Sequence, residues 1–133
     1  MKTIRLIIVP YHLGKHETGS GRGPRRLLEA GLKRAICRSG NEVAIREVHT
    51  DAPFVEELQA IVEVNRMVAS EVRAAVEAGE VPFVLAGDCN SSIGTLGGLG
   101  LDRVGVVWLD AHGDFNTPAT SPSGFFDGMA VAV

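Results

Sequence analysis

The chain has 133 residues, of which 45% are hydrophobic and 22% charged, with a formal net charge of −3. This composition fits one globular domain with a substantial core, and its mild acidity gives no electrostatic ground for nucleic acid or an anionic membrane as a partner. Two cysteines, Cys37 and Cys89, are too few for a disulfide framework and no apolar run approaches the length of a membrane span, so the cytoplasm is the expected compartment.

The N-terminus carries two early positive charges and a short apolar stretch broken by Pro10. It lacks a small-residue cleavage site and reads as a first strand, Ile4 to Val9, rather than a signal peptide. His12 and His16 follow in a polar loop and read as surface histidines. Gly19 to Gly23 matches neither a P-loop nor a dinucleotide pattern, so it reads as a tight turn. Pro24 then opens a helix running to about Arg38 and ended by Gly40, with Cys37 an inert packing residue. Glu42 to Val48 alternates polar and apolar residues and predicts an edge strand.

Asp51 and Pro53 signal the start of a long helix. Its apolar stripe runs from Phe54 through Leu58, Ile61, Val62, Val68 and Val72 to Val76, with Met67 as core filler and Gly79 as terminator. Val81 to Ala86 predicts a third strand that runs into Gly87-Asp88-Cys89. A short helix follows from about Ser91 to Leu99, capped by Asn90 or Ser91. The fourth predicted strand is Val104 to Leu109, an apolar run suited to burial on both faces, with Trp108 packed in the sheet. Strand–helix units repeated in this way predict an α/β fold, a three-layer α/β/α arrangement around a parallel sheet.

Chemistry concentrates where these strands end, which is where sites form in open α/β sheets. Asp110, His112 and Asp114 are spaced i, i+2, i+4, so in an extended segment all three point to one side. Two carboxylates and an imidazole there suit a divalent cation, with Mn²⁺ favoured over softer ions, or acid–base chemistry. The bland alternative is a strand-ending turn in which the aspartates cap backbone amides and the histidine is exposed. Cys89, near a helix N-terminus where a thiolate would be favoured, reads equally as a metal ligand or as a buried structural cysteine.

Three stretches, AGDCNSSIGTLGGL, WLDAHGDFNTP and SPSGFFDGMA, resemble in order and spacing three motifs of the ureohydrolases, the arginase, agmatinase and formimidoylglutamase family, and the GSGRGP turn resembles its N-terminal region. The resemblance covers essentially the whole chain and matches about the first half of a usual member. It implies a single arginase-like domain, residues 1–133, that is the N-terminal half of a longer domain with an eight-stranded parallel sheet. It also implies two Mn²⁺ ions whose bound hydroxide hydrolyses a C–N bond of a small guanidino or amidino substrate. By position, Cys89, Asp110, His112 and Asp114 would be metal ligands, and Asp114 would also steady the hydroxide. Asn116, Ser121 and Ser123 would bind the amino-acid end of the substrate, and Asp88 would support the ligand that follows it. Family members are commonly oligomers, so a homo-oligomer, or a completing C-terminal half, is the implied partner.

The chain departs from the family pattern in three ways. Cys89 stands where the family has a ligand histidine, and a thiolate shifts preference toward Zn²⁺ or Fe²⁺. Asp127 stands where the family has a loop histidine that shuttles protons, and an ionised carboxylate can accept a proton in that catalytic role but cannot donate one unless its pKa is raised. The family's late Asp-x-Asp ligands fall outside the chain, as do two strands that lie between its third and fourth, which would leave those strands roughly 14 Å apart. These departures keep a second reading open, a non-catalytic relative or subunit that binds a metal or a guanidino ligand.

Overall fold

A computed structural model describes residues 2–50, 56–100, 102 and 104–132. The elements run β1 (Thr3–Val9), β2 (Tyr11–His12), β3 (Lys15–His16), α1 (Gly23–Glu29), α2 (Leu32–Arg38), β4 (Glu42–Glu47), α3 (Glu57–Glu77), β5 (Val81–Ala86) and α4 (Ser91–Leu99), with 3₁₀ turns at Gly19–Arg22 and Phe126–Met129. The main sheet has the order β4-β1-β5 and is parallel throughout, with Leu6 of β1 opposite Ile45 on one side and Phe83 on the other. β4 lies at the edge, as its alternation predicts.

β1 is central because its sequence can be buried on both faces. Leu6, Ile7, Ile8 and Val9 are all fully buried. Ile7 and Val9 pack with Val64, Val68 and Val72 of α3, while Leu6 and Ile8 project to the opposite side. α1 packs against β1 and β5, and α2 against β4. Each buried valine of α3 contributes about 1.5–3 kcal/mol relative to exposure. The partly buried Met67 packs against this cluster, as a core filler should. The predicted start of α3 at Asp51 and Pro53, with Phe54 of its stripe, lies outside the described residues. Within the described helix the buried face is centred on Ile61, Val64, Val68 and Val72, and Leu58, Val62 and Val76 are exposed. Among the described residues no helix is long and apolar enough to cross a membrane.

The structure corrects three local expectations. The predicted helix from Pro24 to Arg38 is two helices, because Gly31 adopts φ 100°, a left-handed conformation that interrupts the helical ladder. Cys37 is exposed rather than packed. Val104 to Leu109 forms no strand: it pairs with nothing among the described residues, and Val107 and Leu109 are 83% and 92% exposed. Its apolar composition prepares it for a buried sheet, but a strand exists only when a neighbour supplies the ladder. Between it and β5 runs a groove of about 380 Å³, lined by Phe83 and Val84 on one side and Val106 to Trp108 on the other. Trp108 therefore lines a groove instead of packing in a sheet, and its buried Nε1 has no hydrogen-bond partner among the described residues.

Candidate functional site

The site lies at the carboxyl ends of β1 and β5, where close backbone packing fixes the turns. A Cβ on Gly87 would lie 2.3 Å from the Tyr11 carbonyl oxygen and 2.5 Å from Cα of Gly21, so three loops meet there only because glycines stand at the contact. Asp88 ties two of these segments together: one oxygen accepts the N–H of Leu13 at 2.8 Å, the other the hydroxyl of Ser91 at 3.3 Å. α4 is held against α3 by Asn65, whose Oδ1 accepts the Gly94 N–H at 2.6 Å while its Nδ2 donates to the Ile61 carbonyl at 3.0 Å.

Asn90 is the N-cap residue of α4, but its side chain makes no capping bond to the helix. The turn leading into the helix is instead bound by Asp127, on the 3₁₀ turn that closes the chain's last loop. Oδ1 of Asp127 accepts the N–H of Cys89 at 2.8 Å, the N–H of Asn90 at 3.2 Å and the side-chain amide of Asn90 at 3.3 Å. A carboxylate suits this place, where early helical N–H groups lack intrahelical partners. Burial and the negative charge of Asp88 raise its pKa, while the amides of Cys89 and Asn90 and the nearby His12 pull it back down.

Cys89, Asp110 and Asp114 converge, with one ligand atom from each inside a sphere where all lie within 4.8 Å of one another. The Cys89 thiol donates to Oδ2 of Asp110 at 3.6 Å. Asp114 is buried, and its Oδ2 has no hydrogen-bond partner among the described residues. Asp114 turns inward through a left-handed backbone, φ 49°, a costly conformation for a residue with a Cβ. The thiol is pushed up to about 12 by burial first, then by the charge of Asp127 and by Asp114. This reverses the expectation of a favoured thiolate, because burial disfavours the charged form first, and then Asp127 before the helix and the carboxylates of Asp114 and Asp110 beside the sulfur disfavour it further. The Asp110 carboxyl is held below its usual range, chiefly by the N–H of His112.

A divalent cation fits this donor set. It would give the orphaned Asp114 oxygen a partner, offset two crowded carboxylates and displace the thiol proton, as metal binding does to a ligating cysteine.

His112 does not join the cluster. The backbone bends at Ala111 and His112 instead of continuing extended, and the His112 side chain is 83% exposed against 28% for Asp110, their Nδ1 and Oδ1 atoms being 3.5 Å apart. Of the three substrate-binding candidates, Ser121 and Ser123 hold the loop by accepting the N–H groups of Gly124 and Phe125. Asn116 is exposed, donates its N–H to Gly128 and lines an apolar cavity of about 420 Å³ between α3, α4 and the last loop, separate from the thiol–carboxylate cluster. His12 is half-buried, with Nδ1 2.9 Å from Ser20 Oγ, and His16 is exposed and stacks edge-on with Tyr11 and His49.

The sequence gives no local signal for the Asn65–Gly94 bond or for the Asn90 contact with Asp127, whereas the place of His12 in the loop after the first strand does put it within reach of the strand end. The Asp88–Ser91 spacing is that of a local turn and could have been read; the two bonds without a signal join segments far apart in sequence.

A family model described as "Arginase family" matches residues 2–133. The arginase of Bacillus caldovelox is 36% identical over 99% of this chain and 48% of its own length. The crystal structure of Bacillus subtilis arginase superposes with a TM-score of 0.88 at 36% identity, covering 99% of this chain and 46% of that one. Arginase of Entamoeba histolytica, solved in complex with L-ornithine, superposes at 0.84 with 27% identity, covering 98% and 48%. The chain spans about half the length of the curated relatives it matches. Its parallel sheet with flanking helices is the corresponding part of their three-layer α/β/α fold, and on motifs, fold and sequence match together the chain belongs to the arginase family.

Proposed function

We propose that this chain is the N-terminal half of a metal-dependent hydrolase that cleaves a C–N bond of a small guanidino or amidino compound. The observation that carries the reading is the convergence of Cys89, Asp110 and Asp114 with the partnerless Oδ2 of Asp114. In this reading these three residues hold one divalent cation, and His112, exposed on the same segment, ligates on the side completed by the second half. Bound divalent cations would supply water made nucleophilic near neutral pH. Asp114 would orient that water, and Asn116, Ser121 and Ser123 lie on the loop that would meet the far end of the substrate. The thiol in the ligand set favours Zn²⁺ or Fe²⁺ over the Mn²⁺ usual in the family. The groove between β5 and Val104 to Leu109 is where strands of the second half would enter, pairing both unsatisfied edges.

Urea release by the natural protein carrying that second half, loaded in turn with Mn²⁺, Zn²⁺ and Fe²⁺, tests the reading. Release from arginine, agmatine or N-hydroxyarginine supports it; none from all three with every metal overturns it.

The second reading, a non-catalytic metal-binding relative, is favoured by one observation: Oδ1 of Asp127, the residue standing at the proton-shuttle position, is taken by three donors that hold the turn before α4. If Cys89→His with Asp127→His creates activity that the unaltered protein lacks, this second reading holds.

A further inference from the structure

The two positions at which this chain departs from its family's histidines touch each other. The Cys89 N–H and the Asp127 carboxylate are 2.8 Å apart although 38 residues separate them in sequence. We propose that Asp127 is a positioning residue for Cys89, clamping the turn that aims the thiol at the site, and that the two replacements form one unit. The inference rests on the metal-site reading above.

The geometry argues for a clamp. Cys89 sits between a strand end and α4, on a turn whose N–H groups need partners. One carboxylate oxygen gathers the N–H groups of Cys89 and Asn90 together with the Asn90 side chain. The Cys89 bond, at 2.8 Å, is in the range of a charge-assisted bond, and the two longer Asn90 bonds, at 3.2 and 3.3 Å, approach the same oxygen from other directions, so together they hold the turn in rotation as well as in position. Asp88 holds the same turn from the opposite side through Leu13 and Ser91. Asp127 itself is anchored: the Gly128 N–H donates to the Phe125 carbonyl, and the Gly128 carbonyl accepts the N–H of Asn116, two residues beyond Asp114. The clamp thus links the turn bearing Cys89 to the segment bearing Asp114. A neutral imidazole at position 127 offers one acceptor nitrogen and cannot gather three donors.

The test uses Asp127→Ala and Asp127→Asn in the natural protein with its second half, with two readouts. The first is amide hydrogen exchange without metal. Asp127→Ala should speed exchange at Cys89 and Asn90 about ten- to a hundred-fold, with Ile7 and Ile8 unchanged as markers of an intact core, while Asp127→Asn, which keeps an oxygen acceptor, should retain most of the protection. The second is titration with Co²⁺ alone, read by the thiolate charge-transfer band that Cys89→Ser abolishes. Asp127→Ala should weaken Co²⁺ about 10–100-fold and Asp127→Asn should bind nearly as the unaltered protein. Unchanged exchange at Cys89 and Asn90 in Asp127→Ala overturns the clamp. Altered exchange with unaltered Co²⁺ binding overturns the positioning role. No thiolate band in the unaltered protein overturns the metal-site reading and the positioning role with it, a result distinct from both.

Discussion

Oδ1 of Asn65 accepts the N–H of Gly94 at 2.6 Å, and a Cβ placed on Gly94 would fall 2.4 Å from the Asn65 carbonyl oxygen. α3 and α4 therefore touch backbone to backbone, and Asn65 supplies an early donor of α4 with its partner. Asn65→Ala leaves that buried N–H unsatisfied and should cost about 1–3 kcal/mol. Gly94→Ala must push the helices apart and should cost about as much again or more. Urea unfolding midpoints measure both. A change under a few tenths of a kcal/mol in either would contradict this packing.

The groove beside β5 makes a prediction about Val104 to Leu109. In the 133-residue chain alone, the amides of Val106 to Leu109 should exchange rapidly, since no ladder bonds hold them. In a longer chain carrying the proposed second half they should be among the protected ones. Equal exchange in the two would mean that nothing enters the groove. Val107→Lys should likewise be nearly neutral in the short chain, where that side chain meets solvent, and strongly destabilising in the longer protein.

Much of the α/β pattern was legible because it is local. β5 at Val81–Ala86 and α4 at Ser91–Leu99 lie where apolar runs, glycines and turn residues put them. The fourth strand was misread because composition reports only readiness to be buried, whereas pairing depends on residues remote in sequence. The i, i+2, i+4 spacing of Asp110, His112 and Asp114 predicts one face of an extended segment. The bend at His112 and the left-handed Asp114 keep Asp110 and Asp114 together and send His112 outward. Cys89 joined the site as a candidate by its place at a strand end, but its bond to Asp127 spans 38 residues and no spacing rule reaches that far.

The raised pKa of Cys89 has a definite sign. The folded state holds this proton up to about 12 against an ordinary 9.0. The stability it contributes is complete below the ordinary value and is lost as pH rises from there toward the folded value, because only the unfolded chain releases the proton in that window. Comparison of urea midpoints should show the unaltered protein losing stability faster than Cys89→Ser between these limits, without metal. Parallel profiles would contradict the raised value. Metal binding should release about one proton per thiolate ligand near neutral pH, measurable by calorimetry in two buffers of different ionisation heat and absent in Cys89→Ser.

If Cys89 and Asp127 act as a unit, their substitutions will not add. Cys89→His and Asp127→His should each weaken Zn²⁺ binding, and the double variant should bind more tightly than the sum of the single losses allows, with a coupling of about 0.5–3 kcal/mol. Additive losses would separate the two positions.

The central claim is that Cys89, Asp110 and Asp114 hold one divalent cation. X-ray absorption at the zinc edge tests it most directly, on a chain carrying the proposed second half, titrated with Zn²⁺. A sulfur scatterer at about 2.3 Å beside oxygen ligands, lost in Cys89→Ser, is the expected result. A shell of oxygen and nitrogen alone, unchanged by that substitution, or no bound zinc at all, would contradict it.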